Sequence, residues 1–218
     1  MEPGIIAADL EGTLTTGATW RGLGRYLLEH GRSMQYRVFF LQNFPLTAFR
    51  RFILRNDMAV ARSWLVNMAR LIKDTDETQI RSIFDWIVEH ELWKNRRQDV
   101  IDELKALQDT GKRLILVSGA YQPALDSFAR RIGASGAIGT PLEIRNGRTT
   151  GKLAAAINIG AVKVERLHEY LKGAVLDAAY GDTLPDVDML SLSQQPVAVY
   201  PDSHLRAAAL QKGWRIIE

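Results

Sequence analysis

Four short apolar runs constrain the fold of this chain more than any other feature of its sequence. They are Ile5–Ala8, Leu114–Val117, Ala174–Leu176 and Val197–Tyr200. Each has the length of a β-strand, and none alternates apolar with polar residues. Continuous apolar runs are typical of strands buried on both faces, as in a parallel sheet covered by helices.

Amphipathic helical patterns separate the later runs. Each has apolar residues on one face and a glycine after its last turn, where glycine favours helix termination. The three patterns are Val100–Leu107 before Gly111, Ala124–Ile132 before Gly133, and Val164–Leu171 before Gly173. Strands that alternate with helices are joined by right-handed crossovers. The sequence therefore predicts an α/β fold with a doubly wound, mostly parallel sheet, a Rossmann-like core.

One segment departs from this alternation. Leu142–Leu153 carries Asn146-Gly147 at its middle, a dipeptide that favours the type I′ turn of a β-hairpin. We expect a small antiparallel flap there.

The segment between the first two apolar runs has a different character, because every convincing pattern from about Thr19 to Asn95 is helical. We predict a helical cap over residues 18–96, inserted into a catalytic core formed by residues 1–17 and 97–218. Between residues 21 and 62 this cap is basic, and its only acids there are Glu29 and Asp57. The arginines of this stretch are Arg21, Arg25, Arg32, Arg37, Arg50, Arg51, Arg55 and Arg62. They form either a solvated face or a surface that attracts anions.

Composition excludes several functional classes. The chain has no cysteine, which excludes a disulfide scaffold, a thiolate zinc site and a thiol nucleophile. Its net charge of +3 is too small to predict nucleic-acid binding. The first residues lack the features of a secretory signal, and no apolar stretch reaches membrane-spanning length. We expect a cytoplasmic protein without a membrane span.

Two carboxylates, Asp9 and Glu11, directly follow the first apolar run. In open parallel sheets, ligands bind beyond the carboxyl ends of the strands. Carboxylates this close repel each other unless a cation or a shared proton relieves the repulsion. Magnesium, which prefers oxygen ligands, fits this position. Taken alone, such a pair is more often simply two solvated acids at the end of a strand.

Ser118-Gly119 and Lys163 are candidates for binding an anion. Ser118-Gly119 ends the second run, where a hydroxyl and a free backbone N–H can bind phosphate oxygens or simply form a turn. Lys163 falls in the first turn of a predicted helix, where an exposed cation costs about 0.3–1 kcal/mol against the helix dipole. Such a broken rule is expected more often at functional sites. A nearby anion would turn this unfavourable interaction into a favourable one. Alternatively, Lys163 is an ordinary surface lysine with no anion beside it.

The third run leads into Gly181-Asp182-Thr183-Leu184-Pro185-Asp186. Gly181 permits a sharp turn, after which Asp182 can face the same crevice as Asp9. Asp186 and Asp188 lie near a predicted helix start, where capping and the helix dipole also explain acidic residues.

Together these residues resemble the haloacid dehalogenase superfamily of phosphatases. The matching segments are DLEGTLT at 9–15, LVSG at 116–119, Lys163 and GDTLPD at 181–186. The helical insert and the stretch from residue 188 to 214 resemble the phosphoserine-phosphatase-like branch of that superfamily. The resemblance implies Mg2+ as the cofactor and a small phosphorylated metabolite as the substrate.

The resemblance also implies covalent catalysis. Asp9 would be the nucleophile that forms an aspartyl-phosphate. Glu11 would protonate the leaving oxygen and then take a proton from the attacking water. Lys163 would bridge Asp9 and the phosphate and neutralise the developing charge.

Binding roles follow from the same resemblance. The implied phosphate ligands are Ser118, the N–H of Gly119, and Lys163. The implied magnesium ligands are Asp9, the main-chain carbonyl of Glu11, Asp182 and, through a water, Asp186.

Some positions depart from the family pattern. Glu11 stands where aspartate is usual, and Pro185 stands where phosphoserine phosphatases often have asparagine. No acid follows Glu11 before Glu29, which disfavours phosphoserine as the substrate because those enzymes read its amino group with a glutamate. Trp20 and Arg21 lie near the expected crevice entrance and are candidates for contacting the leaving group. Alternatively, Trp20 packs the cap onto the core.

Three functions remain open at this stage. We expect a phosphatase. A phosphotransferase, which passes the phosphoryl group to an acceptor alcohol, would use the same residues. A non-enzymatic phosphate-binding or anion-binding module is less compatible with the intact Asp9 and Lys163. Dehalogenation needs no metal, and the acids at 11, 182 and 186 argue against it.

Overall fold

The computed structural model describes residues 3–52 and 57–218, with side-chain contacts for 3–43 and 63–218. Its centre is a six-stranded parallel sheet in the order β3-β2-β1-β6-β7-β8, and β4 and β5 form a separate antiparallel hairpin. The strands are β1 (Ile5–Ala8), β2 (Arg113–Tyr121), β3 (Gly136–Thr140), β4 (Leu142–Arg145), β5 (Arg148–Leu153), β6 (Leu176–Gly181), β7 (Ser193–Val199) and β8 (Arg215–Ile217).

Helices connect and cover these strands. The α-helices of the described ranges are α1 (Thr19–Glu29), α2 (Ser33–Phe52), α3 (Asp57–Met68), α4 (Glu77–Ile87), α5 (Gln98–Asp109), α6 (Gln122–Ile132), α7 (Ala161–Leu171), α8 (Val187–Ser191) and α9 (Ser203–Lys212). Short 3₁₀ turns occupy Ala69–Ile72 and Leu184–Asp186, and a π-helical turn follows α4 at Val88–Leu92. None of the helices within these ranges is both long enough and apolar enough to cross a membrane.

The central strand β1 is buried on both faces. Ile6 and Ala8 face one apolar cluster, which includes residues of α5 and α6. Ile5 and Ala7 face a second cluster on the other side of the sheet, formed with residues of α7, α8 and α9. Helices therefore cover both faces, and the predicted doubly wound parallel fold is confirmed.

The predicted strands match the observed ones to different degrees. Ile5–Ala8 has the bounds of β1, but the run Ala174–Leu176 only reaches the first residue of β6. Val175 is 58% exposed, and the buried part of β6 continues through small alanines that carry little apolar signal. The sequence also missed β3 and β8. Both are edge strands, which need less burial than central ones and therefore leave no continuous apolar run.

The helical segment (residues 19–92) contains helices in every described part, as the sequence predicts. Its α4 packs on α6, where Ser127 Oγ donates to Asp85 Oδ1 at 2.5 Å. The division of the chain into a core and a cap stays a prediction. Of the arginine-rich stretch, the side chains of Arg50, Arg51, Arg55 and Arg62 lie outside the described residues.

Two stretches of chain connect the helical segment to the sheet, and hydrogen bonds join them. Thr16 N donates to Asn95 O at 2.9 Å, and Arg97 N donates to Leu14 O at 2.8 Å. The Thr15 hydroxyl also donates to Asn95 O at 3.0 Å. The two crossings therefore form one short paired connection.

The predicted hairpin is confirmed. Asn146 and Gly147 have φ values of 52° and 71°, and two successive positive values are those of a type I′ turn. Strand β5 also ties the hairpin to the connection between α3 and α4, since the buried Thr149 hydroxyl donates to the main-chain oxygens of Ile72 and Thr75.

Candidate active site

Three neighbouring strands, β2, β1 and β6, end at one edge of the sheet and position the candidate residues. Asp9 directly follows β1, and its N–H donates to Tyr180 O on β6 at 2.9 Å. Asp182 directly follows β6, and Ser118 lies on β2 beyond Leu116, which pairs with Ala8. This edge is where ligands bind in open α/β sheets.

Lys163 lies between two of the carboxylates. Its Nζ donates to Asp9 Oδ1 at 2.7 Å and to Asp186 Oδ1 at 2.5 Å, and the residue is only 2% exposed. The helix α7 begins after Gly160, whose φ of 54° lets the chain turn so that Lys163 falls in the first turn. The unfavourable place of a cation at a helix start is thus offset by two adjacent anions.

Burial and charge act in opposite directions on the pKa of Lys163. Burial alone would lower this pKa, but the carboxylates of Asp186 and Asp9 outweigh it and raise the pKa above its usual value. Lys163 therefore keeps its positive charge at neutral pH.

The acids respond more strongly to burial. Burial raises the pKa of Asp9 to about 7, although Lys163 opposes the shift. Burial, together with the charges of Asp9 and Asp186, raises the pKa of Asp182 to about 8. Without a bound metal, a pKa of about 8 keeps Asp182 mostly protonated at pH 7, whereas Asp9, with a pKa of about 7, is ionised in about half of the molecules.

Asp186 serves both the site and its own helix start. Its Oδ2 accepts hydrogen bonds from Asp182 N (3.3 Å), Thr183 N (3.2 Å) and Thr183 Oγ1 (3.1 Å), while Oδ1 accepts from Lys163. The capping explanation for Asp186 is therefore correct, and the residue also belongs to the acidic cluster. Asp188 is exposed and takes no part in these contacts.

Asp9, Asp182 and Asp186 form a group that fits a cation. Each offers one carboxylate oxygen, and these oxygens lie within 4.8 Å of one another. Thr13 Oγ1 donates to Asp182 Oδ1 at 2.9 Å and holds that carboxylate in place. A set of carboxylate oxygens without nitrogen or sulfur matches the ligands that Mg2+ prefers.

The Glu11 side chain is oriented differently from this group. Its Oε1 accepts a hydrogen bond from Thr19 N, the first residue of α1, at 2.7 Å. Burial raises the pKa of Glu11, while the hydrogen bonds from Thr19 and the charge of Arg21 oppose the shift. That the main-chain carbonyl of Glu11 binds magnesium stays a prediction.

Ser118 and Gly119 lie in a segment that two buried polar side chains hold. Asn158 Nδ2 donates to Ser118 O at 3.1 Å and to Ile138 O at 2.7 Å. Thr140 Oγ1 donates to Gly119 O at 2.8 Å. Ser118 itself is 3% exposed, so this segment is part of the protein interior.

Trp20 and Arg21 make contacts with the helical segment and, in the case of Arg21, with the connection that leads into it. The ring of Trp20 meets Trp64 edge-on at 6.2 Å, although Trp20 remains 41% exposed. Arg21 donates to Glu91 Oε1 at 2.9 Å and to Thr16 O at 2.5 Å. These contacts favour packing roles, and contact with a leaving group stays a prediction for both residues.

Sequence reasoning missed Thr13, Thr140, Asn158 and Glu91. Thr13 lies inside the DLEGTLT segment, so its position next to the acids was a usable signal. Thr140 is the last residue of β3, an edge strand without a continuous apolar run, and Asn158 lies in a loop, so neither carried a signal. Glu91 reaches α1 from the far end of the helical segment.

Comparison with known proteins identifies a family and several relatives. The family model described as haloacid dehalogenase-like hydrolase matches residues 6–191. The phosphoserine phosphatase SerB1 of Mycobacterium tuberculosis H37Rv is 33% identical over 138 residues, which cover 62% of this chain. The match spans only 44% of the length of that relative.

Solved structures show the same fold at lower sequence identity. A protein of unknown function from Bordetella pertussis Tohama I has a TM-score of 0.83 at 21% identity, covering 100% of this chain and 99% of its own. A structure titled as a phospho-aspartyl intermediate analogue of phosphoserine phosphatase has a TM-score of 0.63 at 18% identity, covering 100% of this chain and 93% of its own.

Proposed function

Because the chain belongs to the haloacid dehalogenase-like hydrolase family, we propose that it is a magnesium-dependent phosphatase acting through an aspartyl-phosphate on Asp9. The observation that carries the proposal is the buried contact between Asp9 and Lys163, 2.7 Å long, beside the carboxylates of Asp182 and Asp186. A nucleophile, a fixed positive charge and metal-type ligands thus share one edge of the sheet.

In the first step, a carboxylate oxygen of Asp9 attacks phosphorus. The bond from phosphorus to the ester oxygen breaks as the bond to Asp9 forms, which leaves an acyl phosphate on the enzyme. Lys163 lies within hydrogen-bond distance of the nucleophile and remains charged. Its ammonium group offsets the repulsion between the carboxylate and the phosphoryl oxygens as they approach.

Magnesium, when bound, would supply further positive charge against the phosphoryl oxygens. Asp9 and Asp182 are the side chains suited to hold it. Asp186 has both oxygens engaged by Lys163 and by groups of residues 182 and 183, so its support would be indirect. This division matches the ligand set that the sequence resemblance implies.

Glu11 would carry the proton in both steps. As an acid it gives its proton to the leaving alkoxide, and as a carboxylate it then removes a proton from water. That water attacks phosphorus, the bond to Asp9 breaks, and inorganic phosphate leaves with Asp9 restored. The raised pKa of Glu11 supports this role, because the first step needs the protonated form.

A small phosphomonoester is the proposed substrate class. The name of the M. tuberculosis relative makes phosphoserine a necessary test compound. We nevertheless predict weak activity on phosphoserine, since no acid lies between Glu11 and Glu29 in the sequence. Glu91 reaches the same neighbourhood, but Arg21 already neutralises it.

The test is phosphate release from p-nitrophenyl phosphate, phosphoserine and a broad panel of phosphate esters, with Mg2+ and with chelator. We expect turnover that needs Mg2+ and disappears in Asp9→Asn. No release from any ester would overturn the proposal. Added acceptor alcohols distinguish a phosphotransferase, because phosphate released would then fall below substrate consumed.

A further inference from the structure

The peptide groups around Ser118-Gly119 are held on one side by two buried side chains. Asn158 Nδ2 donates to Ser118 O at 3.1 Å, and Thr140 Oγ1 donates to the next carbonyl, Gly119 O, at 2.8 Å. The two side chains are also linked, since Asn158 N donates to Thr140 Oγ1 at 3.1 Å. Both residues are 0% exposed.

These bonds fix the direction of two N–H groups. In a planar trans peptide, the C=O and the N–H point in opposite directions. Holding Ser118 O towards Asn158 therefore turns Gly119 N–H away from Asn158. Holding Gly119 O towards Thr140 likewise turns Ala120 N–H away from Thr140, and this N–H donates to Ser118 Oγ at 3.4 Å.

The regular sheet does not perform this task here. The ladder between β2 and β3 changes register between Val117 and Tyr121, and the pairs between β1 and β2 end at Leu116. Ser118 and Gly119 thus lie where neither ladder sets the orientation of the peptides. The side chains of Asn158 and Thr140, which lie outside β2, orient these peptides instead.

Both Asn158 and Gly119 suit this packing. The Asn158 amide faces two carbonyl oxygens, Ser118 O and Ile138 O, and its NH2 group can donate to both, whereas a hydroxyl has a single hydrogen to donate. A Cβ atom on Gly119 would lie 2.8 Å from Ile159 Cγ2, so the segment carrying Asn158 packs directly against the glycine.

We propose that Asn158 and Thr140 are positioning residues for phosphate binding. Asn158 aims the N–H of Gly119 at the phosphoryl oxygens of the substrate, and Thr140 orients the N–H of Ala120, which donates to Ser118 Oγ at 3.4 Å and so fixes the place of that hydroxyl. Neither residue need touch the substrate. The proposal rests on the proposed phosphatase function, in which the N–H of Gly119 binds phosphate. N–H groups fixed in advance stabilise developing negative charge better than groups that must reorient.

Thr140→Val is the central test, with Thr149→Val as its matched control. Thr149 is a second buried threonine whose hydroxyl donates to main-chain oxygens, but it lies on the hairpin and contacts residues 72 and 75. Both variants lose a buried hydroxyl, so both should lower the thermal midpoint to a similar degree. Thr140→Ser keeps the hydroxyl and should restore the wild-type behaviour.

The readouts are kcat, KM and inhibition by inorganic phosphate, measured with Mg2+ present. For Thr140→Val we expect kcat to fall and the phosphate inhibition constant to rise by about tenfold each, and for Asn158→Leu by more. Thr149→Val should change neither by more than about twofold. In NMR spectra, the Gly119 amide should respond to phosphate in wild type and Thr149→Val, and less in Thr140→Val.

Each outcome decides the matter. If wild type is active but Thr140→Val behaves like Thr149→Val, the positioning role is wrong and the phosphatase proposal stands. If wild type neither hydrolyses an ester nor binds phosphate, both proposals fail together. Should Asn158→Leu not fold, the comparison at Thr140 still gives the answer.

Discussion

Gly12 leaves no space for a side chain beside Asp182, since a Cβ atom on Gly12 would lie 1.9 Å from Asp182 Oδ2. The two residues come from distant parts of the chain and meet at the acidic cluster. The glycine therefore sets the place of a carboxylate as well as the shape of its own turn, where φ is +96°.

We predict that Gly12→Ala displaces Asp182 and weakens Mg2+ binding and turnover by at least about tenfold. Gly111→Ala is the control, because Gly111 has a similar φ of +91° and no atom near the added Cβ. Both variants should lose about 1–2 kcal/mol of stability through backbone strain. Equal Mg2+ affinities, measured by calorimetry, would contradict the contact.

Asp9→Asn should reduce kcat by at least about 10³-fold, because an amide oxygen is a poor nucleophile and cannot form the acyl phosphate. Asp188→Asn is the matched control, since Asp188 lies at the nearby start of α8 and is exposed. Its kcat should stay within about twofold of wild type. Steady-state phosphate release measures both, and a similar loss in the two variants would argue against Asp9 as the nucleophile.

Lys163→Met should leave the buried carboxylates of Asp9 and Asp186 without a counter-charge. We expect the free energy of unfolding to fall by about 3–5 kcal/mol at pH 8, as when one partner of a buried ion pair is removed. At lower pH the loss should shrink, because Asp9 can then take up a proton. Urea denaturation at several pH values measures this.

Lys112→Met gives the comparison for a more exposed pair. Lys112 Nζ lies 2.8 Å from Asp177 Oδ2, but the two side chains are 28% and 27% exposed. Its removal should cost less than about 1 kcal/mol. A Lys163→Met variant as stable as Lys112→Met would show that the buried pair does not contribute as its geometry implies.

Without metal, the free energy of unfolding should decrease as the pH rises from about 4 to 8, because Asp9 and Asp182 lose their protons in this range. Their native pKa values, about 7 and about 8, lie above the ordinary aspartate value of 3.8. The native state thus binds more protons than the unfolded state in this window, so raising the pH favours unfolding. Mg2+ needs the ionised carboxylates, so its stabilising effect should grow with pH.

Thermal unfolding between pH 5.5 and 8.5, with Mg2+ and with chelator, measures this dependence. Asp182→Asn is the control and should lose most of the Mg2+ effect. An increase in melting temperature on adding Mg2+ that is constant across this range would contradict the expected linkage to the aspartates.

The sequence located the core strands of the sheet where they are apolar and central. Ile5–Ala8 was predicted with its observed bounds, because a strand buried on both faces needs a continuous apolar run. Strands β3 and β8 were not predicted, because edge strands are exposed on one side and need no continuous apolar run. Most of β6 was not predicted as a strand, because its buried alanines are only weakly apolar.

The acidic cluster was predictable for a related reason. Asp9 and Asp182 each follow a central strand, and parallel neighbours end at the same edge, so their proximity follows from topology. The contacts of Asn158 with Ser118 and of Glu91 with Arg21 depend on how loops and helices dock in space. No local pattern in the sequence encodes such docking.

The paired crossings between the sheet and the helical segment restrict how these two parts can move relative to each other. A single flexible connection would leave the direction of such a movement unrestricted. Two backbones hydrogen-bonded at residues 14–16 and 95–97 instead behave as a two-stranded ribbon, which twists about its long axis more readily than it bends in its own plane. We therefore expect any movement of the helical segment relative to the sheet to change both crossings together, and also to disturb the contact of α4 with α6 and that of Thr149 with residues 72 and 75.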